Sequence, residues 1–376
     1  MSQIKIAHIL HSVGGVDVSL RFILKNIDDD KFENIIIHGY HDTNHNFFNK
    51  KNKKLVSYKV PIERNISFFK DITSVFQTYK ILKSEKPQII HAHSAKGGVI
   101  GRFLGFILGI NVLYTPQAFS YLSSEIKFKK FLFLQIEKFL ITKSNYLLAS
   151  SNSERLRAIN EVGYKKNNVI LFNNSIQEVL SIKQLSIDKT WPNKYICTVG
   201  RPSYQKNIEL MIRVVNEVRK EQNIHLVIMG VGHHSDRLSN VQKLIQEYGL
   251  SDAVTLIDWT ERENIFNIIS NSKLYISTSR YEGLPYSVIE SLALGKPCIV
   301  SDCDGNRDLI TNGYNGFVIK DENIEEFSEK IKLVFNDEVL SKKLSENAKK
   351  SFDEDYNIEK NILKLQEIYS KYAIKN

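Results

Sequence analysis

The stretch Ser277-Thr-Ser-Arg-Tyr-Glu-Gly-Leu-Pro-Tyr-Ser-Val-Ile-Glu-Ser-Leu-Ala-Leu-Gly-Lys-Pro-Cys-Ile-Val-Ser-Asp302 reads as a strand end, a turn, a helix and a second strand. The first strand closes near Ser277, Gly283-Leu284-Pro285 turns the chain, and a helix is predicted from Tyr286 to Leu294. Gly295 caps that helix and Pro297 opens the next strand. Outward from this unit the alternation repeats. Short β-branched runs at Tyr195–Val199, His225–Met229, Val254–Ile257, Leu274–Ser277, Cys298–Ser301 and Gly316–Ile319 predict one sheet. Those at Ile4–Leu10, Asn34–His38, Leu55–Val60, Gln88–His91, Asn111–Tyr114, Tyr146–Ser150 and Val169–Phe172 predict another, with helical patterns such as Ile72–Lys83 and Ser153–Glu161 between strands. Strand–helix alternation implies parallel strands with crossover helices. The fold class is therefore α/β, two Rossmann-like, doubly wound domains facing a central cleft. Their expected boundaries are 1–175, a polar linker 176–193 ending in Trp191-Pro192-Asn193, and 194–355. Residues 356–376 add a C-terminal helix, apolar at three and four spacing from Ile358 to Ala373, that packs back on the first domain.

Composition agrees. A chain of 376 residues suggests two domains of ordinary size. With 42% hydrophobic and 25% charged residues, disordered and fibrous classes are excluded. The longest apolar candidate, Phe103–Leu113, is too short to span a bilayer, and no signal peptide is read at the start. Cys197, Cys298 and Cys303 form no CxxC pair, too few for a disulfide framework or zinc cage, so a cytosolic, reduced, metal-free protein is expected. The net charge of +9 lies wholly in the first half. Residues 1–180 hold 25 Lys and Arg against 14 Asp and Glu, while the remainder holds 26 against 28. Such asymmetry points to an anionic partner for the first half, nucleic acid or a membrane surface, unless solvated lysine faces simply accumulate there.

In open parallel sheets, ligands bind beyond the carboxyl ends of the strands. The helix start near Pro285–Val288 presents backbone N–H groups that suit a phosphate. Glu282 precedes that helix and Glu290 lies within it. Two acceptor-only carboxylates flanking an anion site match the hydroxyls on either side of a diphosphate, as in a sugar nucleotide. Either glutamate alone would equally be a surface charge. After the first strand of the second half comes Val199-Gly200-Arg201-Pro202-Ser203-Tyr204-Gln205-Lys206-Asn207. Gly200 permits a tight turn, Arg201 can fork onto phosphate oxygens, Lys206 adds a point charge, and Asn207 is placed to cap the following helix.

Together these segments, with Gly305-Asn306-Arg307-Asp308-Leu309-Ile310, closely resemble the retaining glycosyltransferases of family 4, which have the GT-B fold and occur in bacterial capsule and O-antigen polysaccharide synthesis. The first half agrees through Val13-Gly14-Gly15-Val16, His91-Ala-His-Ser-Ala-Lys-Gly-Gly98 and Tyr114-Thr-Pro-Gln-Ala-Phe-Ser-Tyr121, so the likeness spans most of the chain. The resemblance implies that Glu282 holds donor-sugar hydroxyls and Glu290 the ribose hydroxyls. Arg201 and Lys206 would neutralise the diphosphate leaving group, making Glu282, Arg201 and Lys206 the catalytic set. Backbone from Gly283 through Leu284, Pro285 and Tyr286 to Ser287 would add N–H donors. Gly200, Gly14 and Gly15 would allow close approach to the diphosphate, and the base would lie near Met229–Gly232, including Gly230, and Trp259. Implied with these is a hexosyltransferase without metal or cofactor, transferring a hexose or N-acetylhexosamine from a nucleotide sugar, foremost a UDP-sugar. Its acceptor would be a glycan, specifically a lipid-linked surface-polysaccharide intermediate. Same-face attack, in which a donor phosphate oxygen takes the acceptor proton, would need no carboxylate pair around the bond. Asp302-Cys303-Asp304 has Asp-x-Asp spacing but stands at what the resemblance makes a structural strand end, so it reads as non-metal. Gln117 occupies a position where the family frequently has His; it can donate a hydrogen bond but cannot titrate. Gln117, Lys96 and His93 are the acceptor-side candidates, His93 reading more readily as a packed structural residue. Gly97, beside Lys96 at the next helix start, is with it a candidate for acceptor or diphosphate contact.

The stretch Ile126–Lys143 mixes five lysines with four phenylalanines, a basic amphipathic pattern able to lie among lipid headgroups. Lys50, Lys51, Lys53 and Lys54 would add attraction to anionic lipid. The expected location is cytoplasmic, peripheral on the inner face of a bacterial plasma membrane. No nucleic-acid module or interleaving of aromatic and basic residues supports a nucleic-acid partner. An oxidoreductase is disfavoured because neither Gly14-Gly15 nor Gly230-Val231-Gly232 completes GxGxxG. The alternatives left are a GT-B sugar-nucleotide epimerase, or a basic nucleic-acid- or membrane-binding protein without catalysis.

Overall fold

A computed structural model of the chain describes residues 3–43, 45–63, 66–124, 126–232 and 235–373. The chain forms two compact units, one running to Gln177 and resuming at Asn357, the other Glu178–Tyr356.

Unit 1 is built on seven parallel strands: β1 (Ile4–Ile9), β2 (Phe32–Gly39), β3 (Val56–Val60), β4 (Ile89–His93), β5 (Asn111–Thr115), β6 (Asn145–Ala149) and β7 (Val169–Leu171), in the order β3-β2-β1-β4-β5-β6-β7. A parallel sheet is covered on both faces, which is why its strands are near-continuous apolar runs such as the buried Ile35-Ile36-Ile37. Side chains alternate between the faces. Ala7, Ile9, Ile90, Val112 and Leu147 join one core with residues of the helices Phe68–Glu85, Ser94–Leu108 and Lys127–Phe139. Ile6, Ile89, Leu113 and Leu148 join the other, beneath the helices Gly15–Asn26 and Ile358–Tyr372. The C-terminal helix is further pinned by a hydrogen bond of 2.7 Å between the Tyr369 hydroxyl and His91 Nδ1, and by Asn111 Nδ2 donating to the Tyr372 carbonyl at 2.8 Å.

Unit 2 repeats the plan with six parallel strands: β8 (Ile196–Val199), β9 (Leu226–Val231), β10 (Val254–Asp258), β11 (Tyr275–Ser277), β12 (Cys298–Ser301) and β13 (Gly316–Ile319), ordered β10-β9-β8-β11-β12-β13. All thirteen strands fall where the apolar runs placed them, and the decisive helix spans Tyr286–Ala293 with Gly295 at φ +63° just beyond it. The stretch expected to be a linker, 176–193, is mostly exposed and irregular, and is anchored at a few points. Ile176 is buried and bridges to Asn357 in unit 1, whereas Ser186 bonds Asn264 and Trp191 lies buried against Tyr195 in unit 2. Among the described residues, no helix is long and apolar enough to cross a membrane.

Candidate active site

In each unit the strand order reverses once, between β1 and β4 and between β8 and β11, and loops leaving the two strands diverge there to leave a crevice. In unit 2 the loops that diverge are Gly200–Asn207 and Thr278–Pro285, the two segments singled out from sequence. They are tied together. Lys206 Nζ lies 2.7 Å from Glu282 Oε1, and Gln205 Nε2 donates to Glu282 Oε2 at 3.3 Å and to the Tyr281 carbonyl at 3.2 Å. The Lys206 stem runs over Gly200, where a Cβ would stand 3.1 Å from Lys206 Cγ, so a side chain at position 200 would push the ammonium aside. Burial pulls the Lys206 ammonium toward deprotonation, but the Glu282 charge outweighs it and holds the group above the usual lysine value. Glu282 itself is 7% exposed. A cation and a hydroxyl acceptor thus converge at one strand-end crevice.

The loop is braced from behind. Gly305, at φ +76°, lies so close that a Cβ there would come within 2.5 Å of the Gly283 carbonyl oxygen. Thr278 Oγ1 donates to the carbonyls of Lys206 and Asn207 at 3.1 and 2.9 Å, and the Arg280 guanidinium bonds the Tyr204 carbonyl at 2.8 Å while stacking on the Tyr204 ring. Arg201 is half-buried in the same loop. Asn207 does not cap the helix Ile208–Arg219: its backbone is left-handed at φ 48°, and its amide donates instead to Glu322 Oε1 at 2.9 Å. At the mouth of the helix Tyr286–Ala293 the Val288 N–H is already bonded to the Pro285 carbonyl at 3.2 Å, which narrows the expected donor stretch to residues before it.

Glu290 is also 7% exposed and is paired with Arg262, a partner the sequence did not reveal. Burial raises the Glu290 carboxyl above its usual range, and the Arg262 charge opposes that rise. Arg262 sits one turn after Trp259, which is 69% exposed and lies beside Gly232: a Cβ on that glycine would be 3.6 Å from Trp259 Cδ1. Gly230, at φ +91°, faces the Gly200 amide nitrogen. Trp259 and Gly232 thus present an exposed aromatic surface, and the guanidinium of the Arg262–Glu290 pair follows it closely in sequence. His233 and His234 of the adjoining loop lie outside the described residues. Asp302 and Asp304 are both bound by Arg307, at 2.6 and 3.0 Å.

Unit 1 places its candidates less uniformly. Gly14 begins the helix Gly15–Asn26 with φ +60° and ψ −134°, a conformation for glycine, and a Cβ there would meet nothing within 4 Å. Gln117 and Ala118 both have positive φ, 54° and 77°, strain held by Glu154, which accepts the Ala118 N–H at 2.9 Å. Gln117 Nε2 is buried without a hydrogen-bond partner among the described residues. Lys96 pairs with Asp71, and Gly97 proves a packing residue, its Cβ position 2.4 Å from the Ile9 carbonyl oxygen. His93 is fully buried rather than presented to an acceptor, because its ring sits in the core with those of His8 and His91. Among the described residues this histidine trio is the one group close enough to ligate a metal. Its nitrogens are largely committed: His91 bonds Tyr369 and Thr115, and His8 bonds Asn34 at 3.0 Å and His93 Nε2 at 3.1 Å. Burial depresses all three, His8 to about 4, so the cluster is a neutral hydrogen-bond network.

Residues 181–351 match the family described as Glycosyl transferases group 1, and residues 50–175 the Glycosyl transferase 4-like domain. A UDP-Gal:alpha-D-GlcNAc-diphosphoundecaprenol alpha-1,3-galactosyltransferase of Escherichia coli is 28% identical over 81% of this chain and 81% of its own length. The capsular polysaccharide biosynthesis glycosyltransferase CapM of Staphylococcus aureus is 22% identical over 84% of this chain and 85% of its own. Among solved structures, a sucrose-phosphate synthase from Thermosynechococcus elongatus superposes with a TM-score of 0.81 at 17% identity, covering 98% of this chain and 99% of that one. Anabaena Alr3699/HepE in complex with UDP-glucose gives 0.79 at 15% identity over 98% and 99%.

Proposed function

The chain belongs to the group 1, family 4-like glycosyltransferases and has the GT-B fold, and on that premise we propose that it transfers a hexose or N-acetylhexosamine from a UDP-sugar to a lipid-linked glycan with retention of configuration. The observation that carries this reading is the Lys206–Glu282 contact over Gly200 at the β8/β11 crevice. Relatives named for lipid-linked galactose transfer and for capsule synthesis, and a neighbour solved with UDP-glucose, support the choice of donor and acceptor class.

In this mechanism the bond between the anomeric carbon and the donor phosphate oxygen breaks as an acceptor hydroxyl attacks from the same face. The acceptor proton passes to a donor phosphate oxygen, and the products are the glycoside and UDP. Negative charge grows on the leaving diphosphate. Arg201, Lys206 and the N–H groups from Gly283 to Ser287 stabilise it, the contribution that usually dominates such chemistry. These fixed cations supply the neutralisation without a metal ion. Glu282, released in part from Lys206, accepts from sugar hydroxyls, and Glu290 from ribose hydroxyls, with the base against Trp259. Gly14 and Gly15 give the diphosphate a backbone surface, while Gln117 and Lys96 serve the acceptor. The protein works at the inner face of the bacterial plasma membrane, held there through its basic Ile126–Lys143 stretch.

Thermal-shift screening with UDP-, GDP- and ADP-sugars, followed by transfer to a lipid-linked acceptor, tests the reading. The Arg201→Ala/Lys206→Ala protein is expected to lose at least about 10²-fold in transfer rate. Near-normal turnover of that protein would remove the proposed anion site, and release of an epimerised sugar without acceptor would favour the epimerase alternative.

A further inference from the structure

The helices Phe68–Glu85, Ser94–Leu108 and Lys127–Phe139 cover one face of the unit 1 sheet as a continuous layer. Lys96 of the second pairs with Asp71 of the first, and Arg102 of the second makes a buried pair with Glu137 of the third at 2.8 Å. Each helix is apolar on two sides. The inner stripes, such as Leu82, Ile100, Leu104 and Phe133, pack against the sheet. The outer stripes stand largely in solvent: Phe69 is 82% exposed, Phe106 64% and Phe128 73%. All eight exposed phenylalanines among the described residues fall on these three helices, and unit 2 has none. Singly scattered apolar residues are ordinary on a protein surface, whereas aromatic residues gathered on one layer mark an interaction site.

Charge on the layer has one outward sign. Its three carboxylates, Asp71, Glu85 and Glu137, are each taken up by a cation of unit 1: Lys96, Lys5 and Arg102. Lys80, Lys83, Lys127, Lys129, Lys130 and Lys138 are exposed, and no described carboxylate lies within ion-pair distance of any of them. Lys80 lies along the Phe76 ring, Nζ 4.4 Å from its centroid, the posture of an amine carried at the edge of an apolar patch. We propose that this three-helix layer docks on an anionic bilayer, its phenylalanines entering the boundary between headgroups and acyl chains while its lysines meet lipid phosphates. A second copy is a poor occupant, since a two-fold contact would set lysine against lysine. This deepens the membrane-contact part of the function proposed above by adding two helices beyond Lys127–Phe139. It does not depend on the donor chemistry.

Flotation with vesicles of equal parts phosphatidylglycerol and phosphatidylcholine, and with phosphatidylcholine alone, provides the test. The full chain should float with the anionic vesicles only, and release as salt is raised. Phe69→Ser and Phe106→Ser, on the two added helices, should each weaken binding by on the order of tenfold, as should Phe128→Ser on the third. Since these side chains are exposed, circular dichroism and UDP binding by calorimetry should match the parent protein. If UDP binding persists while the parent protein does not float, or while the Phe69 and Phe106 variants float as well as the parent, the docking layer is wrong and the transferase reading stands. A dimer in solution that the same substitutions dissociate would also overturn it, assigning the layer to a second copy.

Discussion

Acidification should unfold unit 1 ahead of unit 2, and the cause is the histidine trio at β1 and β4. His8, His91 and His93 are fully buried, with ring centroids 3.8 to 5.5 Å apart. Asn34 Oδ1 only accepts, so His8 Nε2 carries the hydrogen and His8 Nδ1 accepts from His93 Nε2–H. A proton entering this network has nowhere to be solvated, and it repels the next. The folded pKa of His8 is about 4, below the unfolded value near 6.5. A depressed histidine costs nothing well above 6.5. As pH falls through that value the unfolded chain binds a proton that the folded chain refuses, and the loss grows until the folded pKa is reached. For His8 alone this amounts to about 2 kcal/mol at about pH 5. His91 and His93 shift the same way, so the slope can approach three protons, about 4 kcal/mol per pH unit, against a total stability on the order of 5–15 kcal/mol. Urea unfolding at about pH 7.5, 6 and 5 reads this out. Both tryptophans, Trp191 and Trp259, are in unit 2, so their fluorescence follows that unit while circular dichroism follows both. The dichroism transition should split at acid pH, its acid-sensitive part losing stability with a multi-proton slope. His8→Gln should reduce that slope by about one proton. Coincident, pH-independent transitions by the two probes would refute the reasoning.

Two further outcomes concern the donor site. Gly305→Ala combines a positive φ with a Cβ 2.5 Å from the Gly283 carbonyl oxygen; a loss of roughly 2 kcal/mol or more is expected by urea titration, with weaker UDP binding as the Glu282 loop shifts. Arg262→Met removes the cation opposing protonation of Glu290, so UDP affinity measured by calorimetry should fall as pH drops from about 8 to about 6, as for other buried carboxyls lacking a partner. Arg262→Lys should restore most of the affinity at neutral pH. A pH-flat affinity in Arg262→Met would show that Glu290 stays ionised without it.

Strands were legible because parallel strands are short, apolar and bounded by turns, which is a local signal. So was the placement of Lys206 and Glu282, since their loops leave neighbouring strand ends at the order reversal and border one crevice. What stayed hidden depended on partners distant in sequence. Nothing near Glu290 names Arg262, and nothing in the spacing of His8 and His93 says that their rings stack. The helix Ser94–Leu108 shows the limit of periodicity: Ile100 and Phe103 are equally apolar, yet one is buried and the other is 44% exposed. Hydrophobic pattern gives the inner face of a helix only when the outer face is polar. Asn207 does not cap because its backbone is left-handed at φ 48°, which the sequence does not show, and Glu322 fixes its amide from the donor side.

The discontinuity of unit 1 bears on how the protein is made. Its sheet is complete once β7 has left the ribosome, yet the helix Ile358–Tyr372 that covers Ile6, Leu113 and Leu148 is synthesised only after all of Glu178–Tyr356. Throughout that interval the nascent first unit carries an apolar face covered only in part, by the helix Gly15–Asn26, while the second unit, encoded without interruption, can fold on emergence. The unit begun later is the first finished, and the one begun earlier depends longest on protection from aggregation.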